Sequence, residues 1–508
     1  MGERALLAEV DGLDEVLRLH RRLEASRPPG VVDLVPAART VLVLLDPDTL
    51  SPAAARAWIE RAPEADDPPP TAGAQEEVVL DIVYDGPDLT DVAELLGMSV
   101  DEVVRRHSGA RWRVAFTGFA PGFGYLVSDD WPFEIPRRAA PRTRVPAGAV
   151  GLAAGFTGAY PRETPGGWQL IGTTSAPLWE PGSPTPALLA PGAEVRFRPQ
   201  AAPPTPTSSG AAPTPSAAGG RGIRILEAGL LTTVQDLGRP GRASQGIARS
   251  GALDRGALRT AHRLVGNRED AAALEVTMGG LRAVADADLW FAVAGAWGRL
   301  TLDGAEVDPY EAHAWPAGAE LHVDWFAHGA RGYLAVRGGI DTPVIAGARA
   351  SDLMAGLGTP PLKAGDRVPI GDDVAGPVPA ATIAPWGAPR DDELEIELAP
   401  GARVDRFAPT ALAALFDEPW TVTNDADRVG MRLDGPELVR VDASELPSEG
   451  MVPGALQVPP SGRPTILLAD GPVTGGYPVI AVATEAALDA LAQARPGTRI
   501  RFRHARPL

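Results

Sequence analysis

Residues 201–220 read AAPPTPTSSGAAPTPSAAGG, and this stretch divides the chain into two modules. It contains neither a charged side chain nor a large apolar one. Such a segment cannot bury enough apolar surface to offset the entropy that ordering would cost. As a flexible coil it would span roughly 25 Å, so it can tether two modules without setting their geometry. We therefore predict a linker at residues 201–221 and a fusion of two proteins.

The first module begins with a predicted β-α-β-β-α-β unit over residues 1–86. The predicted elements are strands at residues 5–10, 31–35, 40–45 and 78–84 and helices beginning near Leu13 and Pro52. The strands follow from short apolar runs bounded by turn residues, and the helices from apolar positions at helical spacing. This order of elements is that of a ferredoxin-like unit.

Residues 87–200 change character part-way along. A helix is predicted from Leu89 to Leu96, with Gly97 ending it, and Ser99 with Glu102 forms a capping box for a second helix ending near His107. Beyond Arg111 glycine and proline are frequent and helical periodicity is lost, which is typical of a small β-barrel. Residues 222–508 are also rich in predicted strands, with helices at 252–265, 411–415 and 485–493. The fold class is therefore α+β and mostly β.

Composition excludes several kinds of chemistry. Lys363 is the only lysine and there is no cysteine, which rules out a P-loop, a biotin carrier lysine and thiol catalysis. The net charge of −18 disfavours binding to nucleic acid or to an anionic membrane. No apolar run is long enough for a membrane span, and the start MGERALLAEVDG lacks the apolar core of a signal peptide. We therefore expect a cytoplasmic protein.

The segment GFAPGFGYL, residues 118–126, is the first candidate site. Glycines at this density allow sharp turns or a close approach to a ligand, and the aromatic rings between them could wall a pocket. The candidate binding residues are Gly118, Phe119, Pro121, Gly122, Phe123 and Tyr125. A plain β-turn with core aromatics is the alternative.

An arginine cluster follows in PRRAAPRTRVPAG, residues 136–148. Guanidinium groups bind carboxylate and phosphate oxygens in pairs, so Arg137 and Arg142 are candidate anion ligands. A solvated basic loop remains the alternative. Gly166 and Gly167, beside Trp168, are candidates for a second edge of the pocket.

His107 has two interpretations. At a helix C-terminus it can simply offset the helix dipole. It also precedes the strand that leads into residues 118–126, where it could act as a catalytic acid or base.

The second module carries polar residues among glycine-rich turns. Their mixture suits a polar small-molecule site with carboxylates able to hold Mg²⁺, although turn chemistry alone could produce it. Asp236 and Asp425 are the candidate catalytic carboxylates. The candidate binding residues are Gln235, Arg239, Asp254, Asn267, Arg428, Ser448, Glu449, Gln457, Gly475, Gly476 and Tyr477.

These motifs carry a family resemblance. GFAPGFGYL, the VPAG signal at residues 145–148 and PGGW at residues 165–168 resemble allophanate hydrolase subunit 1, the family that includes KipI and the B subunit of 5-oxoprolinase. TVQDLGRPG, SGALD, LVGN, SEGMVPGALQVPP and TGGYP, from Thr233 to Pro478, resemble the companion subunit 2 family, which includes KipA and the C subunit of 5-oxoprolinase.

The resemblance implies a cyclophilin-like barrel in each module, which pair with each other. It also implies ATP-dependent opening of 5-oxoproline to glutamate, with the separate A subunit of 5-oxoprolinase as partner and Mg²⁺ at the ATP. Phosphorylation of the lactam oxygen would create a leaving group. Without a P-loop, an ATP cradle would be expected from backbone NH groups of the glycine turns.

The sequence departs from the family pattern in four places. Ala149 replaces a usual serine, Phe156 a glutamine and His262 an asparagine, and GARASD at residues 347–352 lacks a threonine that is common at this turn. Two other functions are open. The modules also resemble the carboxyltransferase part of urea carboxylase, which would require biotin carried on another protein. A non-catalytic regulator resembling a histidine kinase inhibitor is the third possibility.

Overall fold

The structure is a computed structural model. It describes residues 1–62, 77–138, 142–181, 183, 186–201, 220–381, 387–442, 444 and 446–505. The predicted linker lies almost entirely outside these ranges.

The N-terminal unit is a three-stranded antiparallel sheet with two helices. Its elements are β1 (Ala5–Glu9), α1 (Leu13–Ala25), β2 (Val31–Pro36), β3 (Thr40–Leu45) and α2 (Pro52–Arg61). The strand order is β1-β3-β2, and Val16 and Leu23 of α1 are buried against it. Ser51 accepts a hydrogen bond from the NH of Ala54 and so caps α2, with Pro52 at the first helical position.

The last strand of the predicted ferredoxin-like unit belongs to a different sheet. β4 (Val78–Ile82) pairs in parallel with a strand at residues 194–199. Its inward residues Leu80 and Ile82 are fully buried in the core of the first barrel. The predicted element order is confirmed, but the small sheet has three strands because β4 finds its apolar partners elsewhere.

The first barrel is a seven-stranded sheet in the order β11-β8-β9-β6-β5-β12-β4. Val83 bridges to Thr173 and brings the two edge strands together, so the barrel is nearly closed. Its further elements are α3 (Leu89–Leu96), α4 (Val100–Gly109), β5 (Trp112–Thr117), β6 (Gly124–Val127), β7 (Arg142–Val145), β8 (Ala149–Ala153), β9 (Phe156–Ala159), β10 (Thr164–Gly166), β11 (Gln169–Thr173) and β12 (Glu194–Pro199). The predicted end of α3 at Gly97 and the Ser99 cap of α4 are both present.

The first half of the second module is a sandwich of a six-stranded and a five-stranded sheet. Its elements are β13 (Gly222–Ala228), β14 (Leu231–Gln235), α5 (Arg255–Leu264), β15 (Ala273–Thr277), β16 (Leu281–Ala285), β17 (Leu289–Trp297), β18 (Leu300–Leu302), β19 (Ala305–Val307), β20 (His313–Trp315), β21 (Glu320–Val323), β22 (His328–Val336) and β23 (Arg367–Pro369). Apolar side chains of both sheets form one core that includes Phe291 and Trp315.

The second half is a closed barrel in the order β24-β31-β28-β29-β26-β25-β32. Its elements are β24 (Glu393–Pro400), α6 (Pro409–Asp417), β25 (Trp420–Ala426), β26 (Gly430–Asp434), β27 (Glu449–Gly450), β28 (Ala455–Gln457), β29 (Thr465–Leu467), β30 (Thr474–Gly475), β31 (Val479–Ala483), α7 (Glu485–Ala492) and β32 (Arg499–His504). β27 and β30 pair with each other outside the barrel. The mostly β fold with a barrel in each module is thus as predicted, while the sandwich is an additional layer pair.

No helix in the described part of the chain is both long and apolar enough to cross a membrane.

Candidate active site

The two modules meet at the segment GFAPGFG, which connects β5 to β6. The NH of Phe119 donates to Oγ1 of Thr474 at 2.7 Å, and Oγ1 of Thr117 donates to the carbonyl of Ser244 at 2.8 Å. A Cβ added at Gly118 would lie only 2.4 Å from Oγ1 of Thr474. The glycine is therefore required by contact between the modules rather than by space for a ligand.

A very small cleft, with a volume of about 10 Å³, opens beside this contact. This is room for about one water molecule, so a larger ligand would require the cleft to widen. Phe119, with a left-handed φ of 62°, and Pro121 form one wall, and Asp352, Met354 and Asp470 line the other. We call this the inter-module cleft. Its aromatic wall comes from the first module and its carboxylates come from the second, so neither module alone contains it.

A buried charge cluster lies behind the second-module wall of the cleft. Arg428, fully buried, donates to both oxygens of Asp470 at 2.9 Å and to Oε1 of Glu275 at 2.6 Å. Burial opposes the charge on Glu275, yet Arg428 and Arg331 hold the pKa of its carboxyl below the usual value. Because Glu275 is on β15 of the sandwich and Arg428 lies between β25 and β26, the cluster joins the two halves of the second module.

Asp352 is a carboxylate of the cleft that has one oxygen without a hydrogen-bond partner among the described residues. Its Oδ1 accepts the NH of Ala355 at 2.8 Å, while its buried Oδ2 has no hydrogen-bond partner in the described residues. Burial, followed by the nearby negative charge of Asp470, raises the pKa of Asp352 to about 7. A carboxyl with that pKa can both accept and donate a proton at neutral pH, as a general acid–base catalyst must.

The first module also reaches the Asp352 turn. Nη1 of Arg162 lies 3.5 Å from the carbonyl oxygen of Met354, and a Cβ at Gly356 would collide with the Arg162 guanidinium. Arg162 therefore adds a cation from the first module to the surroundings of Asp352.

Three of the predicted residues support the cleft from behind. Gln235 donates to the carbonyl of Ser351 at 2.9 Å, and Nε of Arg239 donates to the carbonyl of Ile345 at 2.9 Å. Asp236 accepts from the backbone NH of Gly238 and of Arg349. These contacts hold the turns around Asp352. Asp236, predicted as a catalytic carboxylate, therefore positions these turns and does not line the cleft. Arg428 is the fourth predicted residue brought to this region.

The other predicted residues of the second module lie elsewhere. Asp425 is exposed and pairs with Arg432 at 3.2 Å on the barrel surface, so the structure does not bring it to the cleft. Asp254 caps α5, with burial and then Asp489 raising its pKa to about 7. The side chain of Asn267 donates to the carbonyl of Val336, that of Gln457 donates to Sδ of Met451, and Glu449 forms an ion pair with Arg403. The carbonyl of Ser448 accepts the NH of Ala38, and Gly475 pairs with Glu449 across two short strands. Gly476 lies near Arg137, and Tyr477 is partly exposed.

His107 is not in the cleft. It is fully buried in the first barrel among the rings of Trp112, Trp131 and Phe197. Its Nδ1 lies 2.8 Å from the hydroxyl of Tyr84, and burial lowers its pKa to about 3. The residue is a neutral core histidine, and the catalytic role expected for it does not agree with this position.

The remaining residues of the GFAPGFGYL segment pack inward. Phe123 and Tyr125 are buried and touch each other and Trp168 edge-on. A Cβ at Gly122 would meet Leu178, and one at Gly166 would meet the hydroxyl of Tyr160. The carbonyl of Gly167 accepts the NH of Arg138. The pocket interpretation therefore holds for Phe119 and Pro121 only.

The arginine cluster is largely neutralised inside the first module. Arg138 and Arg142 both donate to Oδ1 of Asp88, at 2.8 and 2.7 Å, and Arg144 pairs with Glu163. A Cβ at Gly476 would lie 2.8 Å from Nη1 of Arg137. Arg142 is thus committed to a carboxylate of the chain, and the cluster is not an open anion clamp.

Of the four departures from the family pattern, the segment at residues 347–352 ends at Asp352 in the cleft, and the other three are core positions. Ala149 is buried in β8, and Phe156 contacts Phe116 and Tyr125. Nδ1 of His262 lies 3.1 Å from Nδ2 of Asn267, and burial lowers the pKa of His262 to about 4. None of the three lines the inter-module cleft.

The described residues provide no cluster of side chains fitted to Mg²⁺. They contain no group of three or more His, Asp or Glu side chains that could hold a metal ion. Both oxygens of Asp470 are occupied by Arg428 and Ser250, and the glycines at 118 and 476 pack against protein atoms. The glycine-turn cradle expected for ATP is therefore not supported by these contacts.

Comparison with known proteins decides the family. A family model described as "Carboxyltransferase domain, subdomain A and B" matches residues 245–504, and one described as "subdomain C and D" matches residues 1–189. The chain belongs to the carboxyltransferase-domain family. The solved structure of TTHA0988 is 36% identical, with a TM-score of 0.86 over 98% of this chain and 99% of that one.

Two curated relatives account for the two modules. The 5-oxoprolinase C subunit of Escherichia coli K12 is 40% identical over 285 residues, which is 55% of this chain and 90% of that protein. The 5-oxoprolinase B subunit of Escherichia coli O157:H7 is 40% identical over 213 residues, 39% of this chain and 94% of that protein. Counterparts of both subunits are thus present in one chain, as in a fusion of B and C.

A third relative is a much larger protein, of which this chain matches only a part. Urea amidolyase of Saccharomyces cerevisiae is 30% identical over 304 residues, which is 55% of this chain but 16% of that protein.

Proposed function

We propose that this chain supplies the B and C parts of an ATP-dependent 5-oxoprolinase. It would open the lactam of 5-oxoproline to glutamate together with the separate A subunit of that enzyme. The inter-module cleft carries this proposal, because its walls come from both modules and each module resembles one 5-oxoprolinase subunit.

The chain's own chemistry in the proposed reaction is proton transfer. Ring opening requires a water to lose a proton as it adds to the carbonyl carbon, and the departing nitrogen to gain one. Oδ2 of Asp352 is unpartnered in the described residues and its carboxyl has a pKa of about 7, so it can perform both transfers. Arg428 and Arg239 stand close enough to offset negative charge developing beside it.

In this proposal ATP and Mg²⁺ bind at a site that the A subunit completes. Since the described residues contain no cluster of metal-binding side chains, we expect the A subunit to complete the nucleotide site. No step of the chain's own chemistry depends on them.

The experiment measures ATP hydrolysis and glutamate formation with the purified chain, first alone and then together with the A subunit. We expect little hydrolysis by the chain alone, and hydrolysis that depends on 5-oxoproline when both proteins are present. Robust 5-oxoproline turnover by the isolated chain would disprove the obligatory partner. ATP hydrolysis by the pair that ignores 5-oxoproline would disprove the substrate.

The likeness to urea amidolyase favours one alternative, a carboxyltransferase component that uses biotin on another protein. Lys363, the only lysine, stands in a turn and its NH bonds to Asp366. A requirement for urea and a biotinylated carrier in the same assay would replace the first proposal by this one.

A further inference from the structure

A second, larger cavity lies between the N-terminal unit and the second module. Its volume is about 350 Å³. Leu44 and Leu45 of β3 line one side, and Leu253 and Leu488 line the other. This volume falls in the range of small-molecule pockets, and most of its lining side chains are apolar.

The cavity lies next to the inter-module cleft. Leu468 and Ala469 face the cavity, whereas the next residue, Asp470, lines the cleft. Ser250 also lines the cavity and donates to Oδ1 of Asp470 at 2.6 Å. One short segment therefore separates the two spaces.

The carboxylates at the cavity already have partners. Oε1 of Glu485 pairs with Arg255 at 2.7 Å and Oε2 pairs with Arg4. Asp489 accepts the backbone NH groups of Arg255 and Gly256 at 2.9 and 3.2 Å. Oδ2 of Asp46 accepts from the hydroxyl of Thr49, and Oε1 of Glu3 accepts from the NH of Glu485.

Four arginines line the cavity, and Arg4, Arg239 and Arg255 have partners among the described residues, although one buried nitrogen of each is left without one. Arg249 is the exception. No residue in the described ranges forms a hydrogen bond or ion pair with its guanidinium, and its Nε is buried. The two charges that shift its pKa, Arg4 and Arg259, have the same sign as its own. Burial, followed by these arginines, lowers its pKa to about 10, so it is still charged at neutral pH. A part-buried cation without a counter-charge costs free energy in the empty protein.

We propose that Arg249 anchors a small organic monocarboxylate in this cavity. A guanidinium fork matches a carboxylate with two parallel hydrogen bonds, and the apolar walls would cover the body of the ligand. Arg249 has no ion-pair partner among the described residues, so its guanidinium is available to a carboxylate.

The main experiment is calorimetric titration of the full chain in the absence of ATP and of the A subunit. The probes are 5-oxoproline, 2-pyrrolidinone, which is the same ring without the carboxylate, hexanoate and inorganic phosphate. Only the choice of 5-oxoproline as a probe rests on the proposed function. We expect one molecule of hexanoate to bind per chain, 5-oxoproline to compete with it, and 2-pyrrolidinone to compete far more weakly.

Two variants separate the site from general charge effects. Arg249→Gln should weaken carboxylate binding by about 10- to 100-fold, because the charged hydrogen bonds are lost. Arg259→Gln, a change at a neighbouring arginine that is 41% exposed, should bind as the native chain does. Arg249→Gln should also melt at or above the native temperature in the absence of ligand, because it removes an unpaired cation.

Several results would overturn this assignment. They are no binding of either carboxylate, binding that Arg249→Gln leaves unchanged, and phosphate binding that is tighter than carboxylate binding. A large drop in melting temperature for ligand-free Arg249→Gln would show a structural role instead. Arg249-dependent carboxylate binding without any 5-oxoproline-dependent ATP hydrolysis would contradict the proposed function alone.

Discussion

The inter-module cleft differs from an ordinary domain contact because one of its carboxyl groups, that of Asp352, has a raised pKa. Asp352 and Asp470 face the same cleft, but Asp470 is held by Arg428 whereas Asp352 keeps one oxygen without a partner among the described residues. Two carboxylates in close proximity rarely ionise together, so the less well paired one retains its proton to higher pH. This difference is the reason why the proposed proton-transfer role falls to Asp352 rather than to Asp470.

Replacing that oxygen is the direct test at the residue scale. Asp352→Asn keeps the shape and an acceptor for the NH of Ala355 but cannot accept and return a proton. We expect 5-oxoproline-dependent ATP hydrolysis in the presence of the A subunit to fall by roughly 10²- to 10⁴-fold. Asp425→Asn, a change at the exposed barrel surface, is the control and should retain full activity. Equal activity of the two variants would remove Asp352 from the mechanism.

For His107 we expect a loss of stability rather than a loss of activity. His107→Ala leaves a hole among aromatic rings and removes one hydrogen-bond partner from each of the hydroxyls of Tyr84 and Thr157, so it should cost about 3–5 kcal/mol of unfolding free energy. Arg105→Ala, on the exposed face of the same helix, should change stability by about 0.5 kcal/mol or less. Activity per folded molecule should be unchanged in both, measured below the melting temperature.

The same histidine predicts an acid sensitivity. Its pKa is about 3 in the folded protein and about 6.5 in the unfolded chain, so the unfolded state binds the proton first. Its contribution to stability is complete above pH 6.5 and is lost as the pH falls toward 3. The stability difference between the native chain and His107→Ala should therefore shrink on acidification, and a constant difference in denaturant titrations would contradict it.

At the scale of elements, the contact of the β5–β6 connection with β30 determines the shape of the cleft. Gly118→Ala would push a methyl group into Thr474 and shift the Phe119 wall. We expect loss of most 5-oxoproline-dependent ATP hydrolysis and a weakened association of the modules. Gly155→Ala is the matched control and should keep native activity. Neither glycine has a positive φ, and a Cβ at residue 155 would meet nothing within 4 Å. Native activity of Gly118→Ala would show that the contact does not shape the site.

At the scale of the whole molecule, the two modules should stay together without the linker. Thr117 and Phe119 bond to the second module, Ser244 donates its NH to Asp33 at 3.1 Å, and Arg403 pairs with Glu9 at 2.8 Å. Cutting the chain between Thr207 and Gly210 should leave one complex on gel filtration, with activity retained. Separation into two inactive pieces would contradict this expectation.

Much of the architecture could be predicted from the chain because the signals are local. The β-α-β-β-α-β order, the end of α3 at Gly97 and the Ser99 cap follow from periodicity and capping chemistry within a few residues. The partner of β4 could not be predicted in this way. A strand's partner depends on which apolar surface is left uncovered far along the chain, here at β12.

The sequence by itself determined two modules, a mostly β fold and the motif that forms one wall of the cleft. Only the tertiary structure decided that Asp352 is the titratable group, that His107 is a core residue and that Arg249 has no counter-charge among the described residues. The physical reason is that a side chain's charge state depends on burial and on neighbours distant in sequence. Arg428 and Glu275, 153 residues apart, illustrate this dependence.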